Sequence, residues 1–415
     1  MKMLAAGTIV AMLAVSTRGE DWPNWRGPRG DGISKETKIA NTWPAGGPKQ
    51  LWTAKVGIGF STPLAVDGKI YMFALTGPAD ATEWKTDTLY CLDAASGKEL
   101  WKQSYDFAFK GPYTNEMMGG WRGTRASPVV EAGKIYTHGP AGDLVCRELA
   151  DGKEIWHTNI LVQTGATPVT WGQSSNPLID GDLIYVQSGQ GGPVCVAVDK
   201  KTGKINWQSD KGLGGYAQPI QADVAGTKQI IVFGGDAIWG LDAKSGTKIW
   251  TVPWKNEYFV NAATPIFHDG KLFVTAAYTG GHCAMFSLSG AGAKELWKNN
   301  EMTCRFQPPI LDNGAIYGNS EGTVKCLNWN DGKAKWSYRE KIGPGGSLLR
   351  VGDKLILLSE RGKLILTKAT PDAVEKLSEF KALDGTQIWS APMIYNGKLY
   401  VKGTEDLICL DVAGK

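Results

Sequence analysis

The 415-residue chain is poor in the features that announce most activities. Its four histidines, His138, His157, His268 and His282, have no His-x-x-x-His or Cys-x-x-Cys partner, so no metal site is expected. The net charge is +4, without a Lys/Arg run or basic stripe, which excludes nucleic acid as the expected partner. No nucleophile elbow and no Ser/His/Asp constellation can be assembled. Gly189-Gln190-Gly191-Gly192-Pro193 and Gly343-Pro344-Gly345-Gly346 have no helix start behind them and read as turns instead of phosphate loops. Carboxylate pairs such as Asp353/Glu360 and Glu405/Asp406 read as solvated loop charge. The apolar stretch Met3 to Val15 is short of the about 20 residues needed to cross a bilayer. With Lys2 before it and Ala14-Val15-Ser16 at its end, it reads as a secretory signal over residues 1–16. The mature chain is then expected to lack a transmembrane span and to lie in the periplasm or at the cell surface. No cysteine precedes Cys91, so a lipid anchor just after the signal is not expected.

Glycine (53) and tryptophan (17) are abundant, and they are ordered by a repeat. Six times a turn of the form Asp/Asn/Glu/Ser-x-x-x-Gly, or close to it, is followed by a tryptophan eight residues after its first member: Trp101, Trp156, Trp207, Trp250, Trp297 and Trp336. A second half-unit, Pro-apolar-Gly-Lys-apolar-Tyr, recurs from Pro63, Pro128, Pro177, Pro219, Pro265, Pro308, Leu348 and Pro392. Several short β runs repeated with a spacing of roughly 40–50 residues are the signature of a β-propeller. The expected fold is all-β: an eight-bladed β-propeller of four-stranded antiparallel blades over residues 51–415. The last blade lacks its tryptophan strand, whereas Leu51-Trp52-Thr53-Ala54-Lys55 is such a strand without a blade. The N-terminal strand is therefore expected to complete the C-terminal blade and close the ring, leaving no large unpaired edge. In the seventh unit Thr370-Pro371-Asp372-Ala373 replaces the glycine turn, and Leu377 or Phe380 is expected in the place of tryptophan.

Seven cysteines in an exported chain would ordinarily suggest disulfides. Four of them, Cys91, Cys146, Cys326 and Cys409, stand two residues before the turn-opening residue, where other units have Ala197, Gly240 and Ser287. This reads as one small-residue slot repeated around the ring, occupied by buried free thiols too far apart to bridge. One pair among Cys195, Cys283 and Cys304 stays open. Residues 17–50, with Asp21-Trp22-Pro23-Asn24-Trp25-Arg26-Gly27-Pro28 and Trp43-Pro44, are too rich in Pro and Gly for a helix or central strand. They are expected to pack as extended chain on the propeller, either as a structural strap or as a lid or docking arm.

The unit Ala197-x-Asp199-x-x-Thr202-Gly203-Lys204-x-x-Trp207 resembles the tryptophan-docking motif of pyrroloquinoline-quinone (PQQ) dehydrogenase propellers and of the BamB outer-membrane assembly factors. The leader and the stretch Gly59-Phe60-Ser61-Thr62-Pro63 resemble exported bacterial PQQ-binding-like β-propeller repeat proteins. The resemblance implies that Trp52, Trp101, Trp156, Trp207, Trp250, Trp297 and Trp336 are structural docking residues that stack against neighbouring blades. Enzymes of that superfamily carry adjacent cysteines beside the quinone and a calcium set of Glu, Asn and Asp. Here no two cysteines are adjacent and no calcium pattern matches, so neither PQQ nor calcium is expected.

Alternation of strands puts the uniform Gly-Lys turns on one face and the long connections on the other. The latter include Gly120-Trp121-Arg122-Gly123-Thr124-Arg125, Trp171-Gly172-Gln173-Ser174, Gly215-Tyr216-Ala217-Gln218, Tyr258-Phe259-Val260-Asn261 and Cys304-Arg305-Phe306-Gln307. Each runs into an innermost strand, so Trp121, Arg122, Arg125, Trp171, Gln173, Tyr216, Tyr258, Asn261, Arg305, Phe306 and Gln307 form a candidate ligand or partner site at the channel mouth. The competing reading is that they plug the channel and satisfy buried backbone groups. The expected function is a non-catalytic exported scaffold, a monomer that binds an envelope protein or a small-molecule or carbohydrate ligand on the loop face. A quinoprotein alcohol or sugar dehydrogenase and a carbohydrate-binding protein are the alternatives.

Overall fold

The structure, a computed structural model, describes residues 19–77, 85–107, 123–290 and 292–414. Eight antiparallel sheets stand around a central channel, and seven of them are built from four consecutive strands. Blade 1, for example, runs from its innermost strand Leu64–Val66 through Lys69–Thr76 and Thr86–Asp93 to Glu99–Asp106 at the rim. Blade 8 has Met393–Tyr395, Lys398–Lys402 and Asp406–Asp411, and its rim strand is Lys49–Lys55 from the other end of the chain. The ring thus closes as the repeat predicts. The residues 1–16 read as a signal lie outside the described residues.

The two halves of the repeat each have a physical reason. Between first and second strands, Asp67 and Gly68 (φ 52° and 75°) and Asn396 and Gly397 (φ 53° and 68°) both take positive φ, the two-residue hairpin geometry that matches strand twist. Between third and fourth strands the Asp caps the turn: Asp199 Oδ1 accepts from the Thr202 backbone N–H and hydroxyl, both at 2.8 Å. The glycine then clears space for the preceding blade's tryptophan. A Cβ on Gly97 would fall 2.6 Å from the Trp52 ring, and one on Gly203 2.6 Å from that of Trp156. The indole N–H groups of Trp52, Trp101, Trp156, Trp207 and Trp336 donate to backbone carbonyls of Ala94, Ala150, Lys200, Ala243 and Thr370, each in the next blade. Trp250 instead donates to Gln229 Oε1 of its own blade, because the fifth blade's hairpin is cut short at the Ser289–Gly292 pair.

That short hairpin also shifts the small-residue slot. The slot residue is the one paired with the tryptophan: Cys91, Cys146, Ala197, Gly240, Cys326 and Cys409 meet Trp101, Trp156, Trp207, Trp250, Trp336 and Trp52. In blade 5 it is Met285 that faces Trp297, and Ser287 pairs with Lys294, which corrects the assignment of Ser287 to the slot. Blade 7 needs a second correction. Its slot is Leu366 and the residue opposite is Ser378, neither Leu377 nor Phe380. A large slot with a small partner replaces a small slot with a large one. The missing indole comes from the N-terminal segment: the Trp43 backbone N–H donates to Ser378 Oγ at 3.0 Å, and its ring meets Phe380 edge-on at 5.7 Å. All seven cysteines are buried free thiols, so no pair among Cys195, Cys283 and Cys304 is bridged.

The N-terminal segment does more than lie along the ring. Trp22 pairs with Ala65 on the innermost strand of blade 1, and the Pro23 carbonyl accepts from the Val130 N–H of blade 2. Trp25 Nε1 donates to Gln218 Oε1 before blade 4, and Arg26 Nη2 donates to the Pro309 carbonyl of blade 6 at 2.8 Å. Ile33–Ser34 then pairs in parallel with the innermost strand of blade 7, and the Gly397 N–H of blade 8 donates to Glu36. The segment touches innermost strands, a turn beside one of them, or, at Gln218, the connection that leads into one, on six blades; it fills the channel from the short-turn side and reaches inward as far as Gln218.

Candidate functional site

With the short-turn end filled from within, the loop face is the end of the channel left to the connections between blades. The connections into the innermost strands meet there as a belt. Arg125 lies over the Phe60 ring, 5.3 Å from its centroid, and donates to the Gly123 and Trp171 carbonyls at 3.2 and 3.0 Å. Phe60 stacks on Trp389 at 4.6 Å, and Phe306 packs on the same indole at 4.7 Å. Gln307 donates to the Trp389 carbonyl, and Gly345 leaves room for that indole, whose Cδ1 would lie 2.0 Å from an added Cβ. Arg305 lies 4.9 Å from the Tyr278 centroid and grips Glu321 with both Nε and Nη2. The Glu321 hydrogen bond holds the guanidinium pKa above its usual value. Tyr278 in turn meets Tyr258 edge-on at 5.4 Å. Tyr216, Val169 and Val260 form a small apolar cluster against which Trp171 and Tyr278 pack, joining blades 3, 4 and 5.

The expected site residues divide by what they touch. Gln173 and Asn261 are fully enclosed backbone clamps. Gln173 donates to the Gln187 and Ser188 carbonyls, and Asn261 to those of Gly234 and Gly235. Tyr216 is buried, and burial raises its phenol pKa. Arg125, Trp171, Arg305, Phe306 and Gln307 are half-buried with surface left to offer. Tyr258 is 57% exposed and the adjoining Phe259 42%. Trp121 and Arg122 lie outside the described residues.

Phe60, Tyr278 and Trp389 belong to the belt although the long connections do not mark them. The signal that finds two of them is register. Phe60, Arg125, Tyr216, Arg305 and Trp389 each stand three residues before the proline that opens a blade. Tyr278 carries a different signal, a positive φ of 69°, shared by Phe259 at 56°. Such backbone is strained for bulky side chains and gathers at functional surfaces.

Among the described residues no cluster of three or more His, Cys, Asp or Glu side chains could hold a metal. The mouth does not fit a quinone with calcium: the half-buried indole of Trp389 is already engaged by Phe60 and Phe306, Arg305 is paired with Glu321, and Arg125 is held by the Gly123 and Trp171 carbonyls.

Comparison with known proteins agrees with this architecture. A relative from Burkholderia pseudomallei, the outer membrane protein assembly factor BamB, is 22% identical over 359 residues, covering 76% of this chain and 86% of its own. Lupanine 17-hydroxylase [cytochrome c] of a Pseudomonas species is 32% identical over 145 residues, 31% of this chain and 20% of its own. Among solved structures, BamB of Moraxella catarrhalis superposes with a TM-score of 0.59 at 17% identity over 87% of this chain and 96% of its own. Quinohemoprotein alcohol dehydrogenase of Comamonas testosteroni gives 0.66 at 16% identity over 97% and 82%. The family model described as outer membrane protein assembly factor BamB matches residues 44–118, 85–338 and 234–413, and with nearly all of the propeller covered the chain belongs to that family.

Proposed function

We propose that the protein is a non-catalytic scaffold of the cell envelope that holds a partner protein at the loop-face mouth of its channel. One observation carries the reading: the chain plugs the short-turn end of the channel with its own residues 21–36 and leaves a belt of aromatic and cationic side chains at the other end. Rigid rings position loops well, and aromatic and arginine anchors bordered by polar groups are what partner hot spots use. The belt's arginines are tied down by Glu321 and by backbone carbonyls, so they present flat, preorganised surface instead of free charge. Relatives named as outer membrane assembly factors support an exported, partner-bound role. The reading is tested by recovering partners from envelope fractions with wild-type protein and with a Phe306→Ala/Tyr258→Ala double variant. Loss of the partner from the double variant supports it, and equal recovery refutes it.

The quinoprotein neighbours keep a second reading in view, a PQQ-dependent oxidoreductase. We favour action without a cofactor because the mouth residues do not fit the quinone and its cation. Titration with PQQ and Ca²⁺, followed by absorbance and thermal shift, separates the two. A saturable shift with alcohol turnover would establish the enzyme.

A further inference from the structure

Outside the mouth, on the loop-face side of blades 4 and 5, lies a groove of 540 Å³ lined by Val252, Trp254, Lys255, His282, Phe286, Glu295, Lys298 and Asn300, among others. Its volume is in the range of small-molecule sites, roughly 300–1,000 Å³. The wall is built rigidly. Trp254 is 3% exposed, meets Phe233 edge-on at 5.6 Å, and its Nε1 has no hydrogen-bond partner among the described residues. His282 stacks on that indole with centroids 3.9 Å apart and 25° between planes. The loop before it cannot easily relax: Tyr278 and Gly280 have positive φ, and a Cβ on Gly281 would come 2.6 Å from the Ala276 carbonyl oxygen.

The groove's chemistry is specific. His282 Nδ1 lies 2.8 Å from the Gly280 carbonyl, which can only accept, so that nitrogen carries the proton. Burial lowers the imidazole pKa, which favours the neutral ring and leaves Nε2 as an acceptor. Among the described residues Lys255, Glu295 and Lys298 have no ion pair, although all three line one groove. Two cations call for an anion. The carboxylate, the imidazole acceptor and the Asn300 amide between them call for hydroxyl donors and disfavour a ligand that is all anion. Val252, Phe286 and the covered indole give the groove an apolar side.

We propose that this groove binds an acidic saccharide, with a sugar carboxylate at Lys255 and Lys298 and ring hydroxyls at Glu295, Asn300 and His282. The proposal does not depend on the mouth reading, since no mouth residue takes part. It is tested by calorimetric titration of the full chain with digalacturonate, with galactobiose as the neutral counterpart and acetate as the bare anion. Digalacturonate is expected to saturate, to bind at least about tenfold tighter than galactobiose or acetate, and to weaken about tenfold or more in Lys255→Gln/Lys298→Gln. Both lysines are exposed, so that variant is expected to melt with the wild type, and His282→Gln supplies an independent loss of binding. Absence of saturation at millimolar digalacturonate, equal affinity for galactobiose or acetate, or unchanged binding in both variants would overturn the proposal. Displacement of digalacturonate by an acidic peptide at lower concentration would also overturn it, by giving the groove to a protein partner.

Discussion

The indole N–H of Trp52 donates to the Ala94 carbonyl at 3.1 Å, so a residue of the N-terminal strand Lys49–Lys55 locks blade 8 to blade 1. Trp52 is buried beside Tyr400, whose hydroxyl reaches the same carbonyl at 3.2 Å. Trp52→Ala is expected to cost about 3–5 kcal/mol in urea unfolding, as large aromatic truncations do. Trp52→Phe is expected to cost about 1 kcal/mol more than Trp297→Phe, because the Trp297 Nε1 has no bond to lose. Equal losses for the two Phe variants would show that the docking bond contributes nothing to closure.

The slot facing each tryptophan sets a second expectation. A Cβ at Gly240 would fall 2.1 Å from the Trp250 ring, so Gly240→Ala is expected to destabilise by about 1–3 kcal/mol. Cys146→Leu is expected to cost about the same by overpacking, and Cys146→Ala less. Alkylation under denaturing, non-reducing conditions should label all seven cysteines, and mass spectrometry would reveal any that escaped as a disulfide.

How much of this was legible in the sequence depended on whether the signal was local. The eight blades, the closing strand and the docking tryptophans follow from a motif that repeats in register, and each copy performs the same packing task. The Ser287 slot fails because the fifth hairpin is shorter, which moves the pairing by two residues to Met285 without altering the visible spacing of apolar positions. The blade 7 substitution fails for a different reason: Trp43, which covers Ser378, is more than 300 residues away in the chain, and no local pattern encodes that contact. The channel plug was legible only as a segment too aromatic to float free. In the mouth, Arg125, Tyr216 and Arg305 were found from their connections, whereas Phe60 and Trp389 needed the repeat register applied strictly. Gln173 and Asn261 have the composition of a site but serve the backbone, a distinction that only partners and distances can draw.

Two titrating groups give opposite pH signatures. His157 Nε2 lies 2.9 Å from Asp143 Oδ1, and this hydrogen bond raises the imidazole pKa. The folded state then holds the proton more tightly than the unfolded state. The stabilisation is fully present below the ordinary value near 6.5 and is lost as pH rises through the folded pKa. Urea midpoints should therefore show wild type exceeding His157→Gln by more at pH 6 than at pH 8.

Lys402 behaves the other way. Its ammonium is wholly buried, donates to the Gly403 and Thr404 carbonyls at 2.8 Å, and has its pKa pushed down by burial to about 7. Between about 7 and the unfolded value of 10.5 the unfolded chain binds the extra proton, so this group adds stability as pH rises through that window. Relative to Lys402→Met, wild type is expected to gain stability from pH 7 to pH 9. A flat difference across that range would mean the amine keeps its charge when buried.

The plug has its own signature. Arg26 is buried in the channel and donates to the Asp31 and Pro309 carbonyls, with its pKa lowered by burial to about 10. Arg26→Met should leave both carbonyls unpaired and cost about 1–3 kcal/mol. Partner recovery from envelope fractions should be unchanged, because the plug lies toward the short-turn face.

The claim that the loop face is the working face is tested most directly by photo-crosslinking in envelope preparations. A photoreactive phenylalanine analogue would be placed at Tyr258, exposed at the mouth, and in a second protein at Lys244, exposed on a short turn of the opposite face. A discrete adduct from position 258, absent from position 244, is the predicted result. An adduct from position 244 with none from 258 would contradict the account.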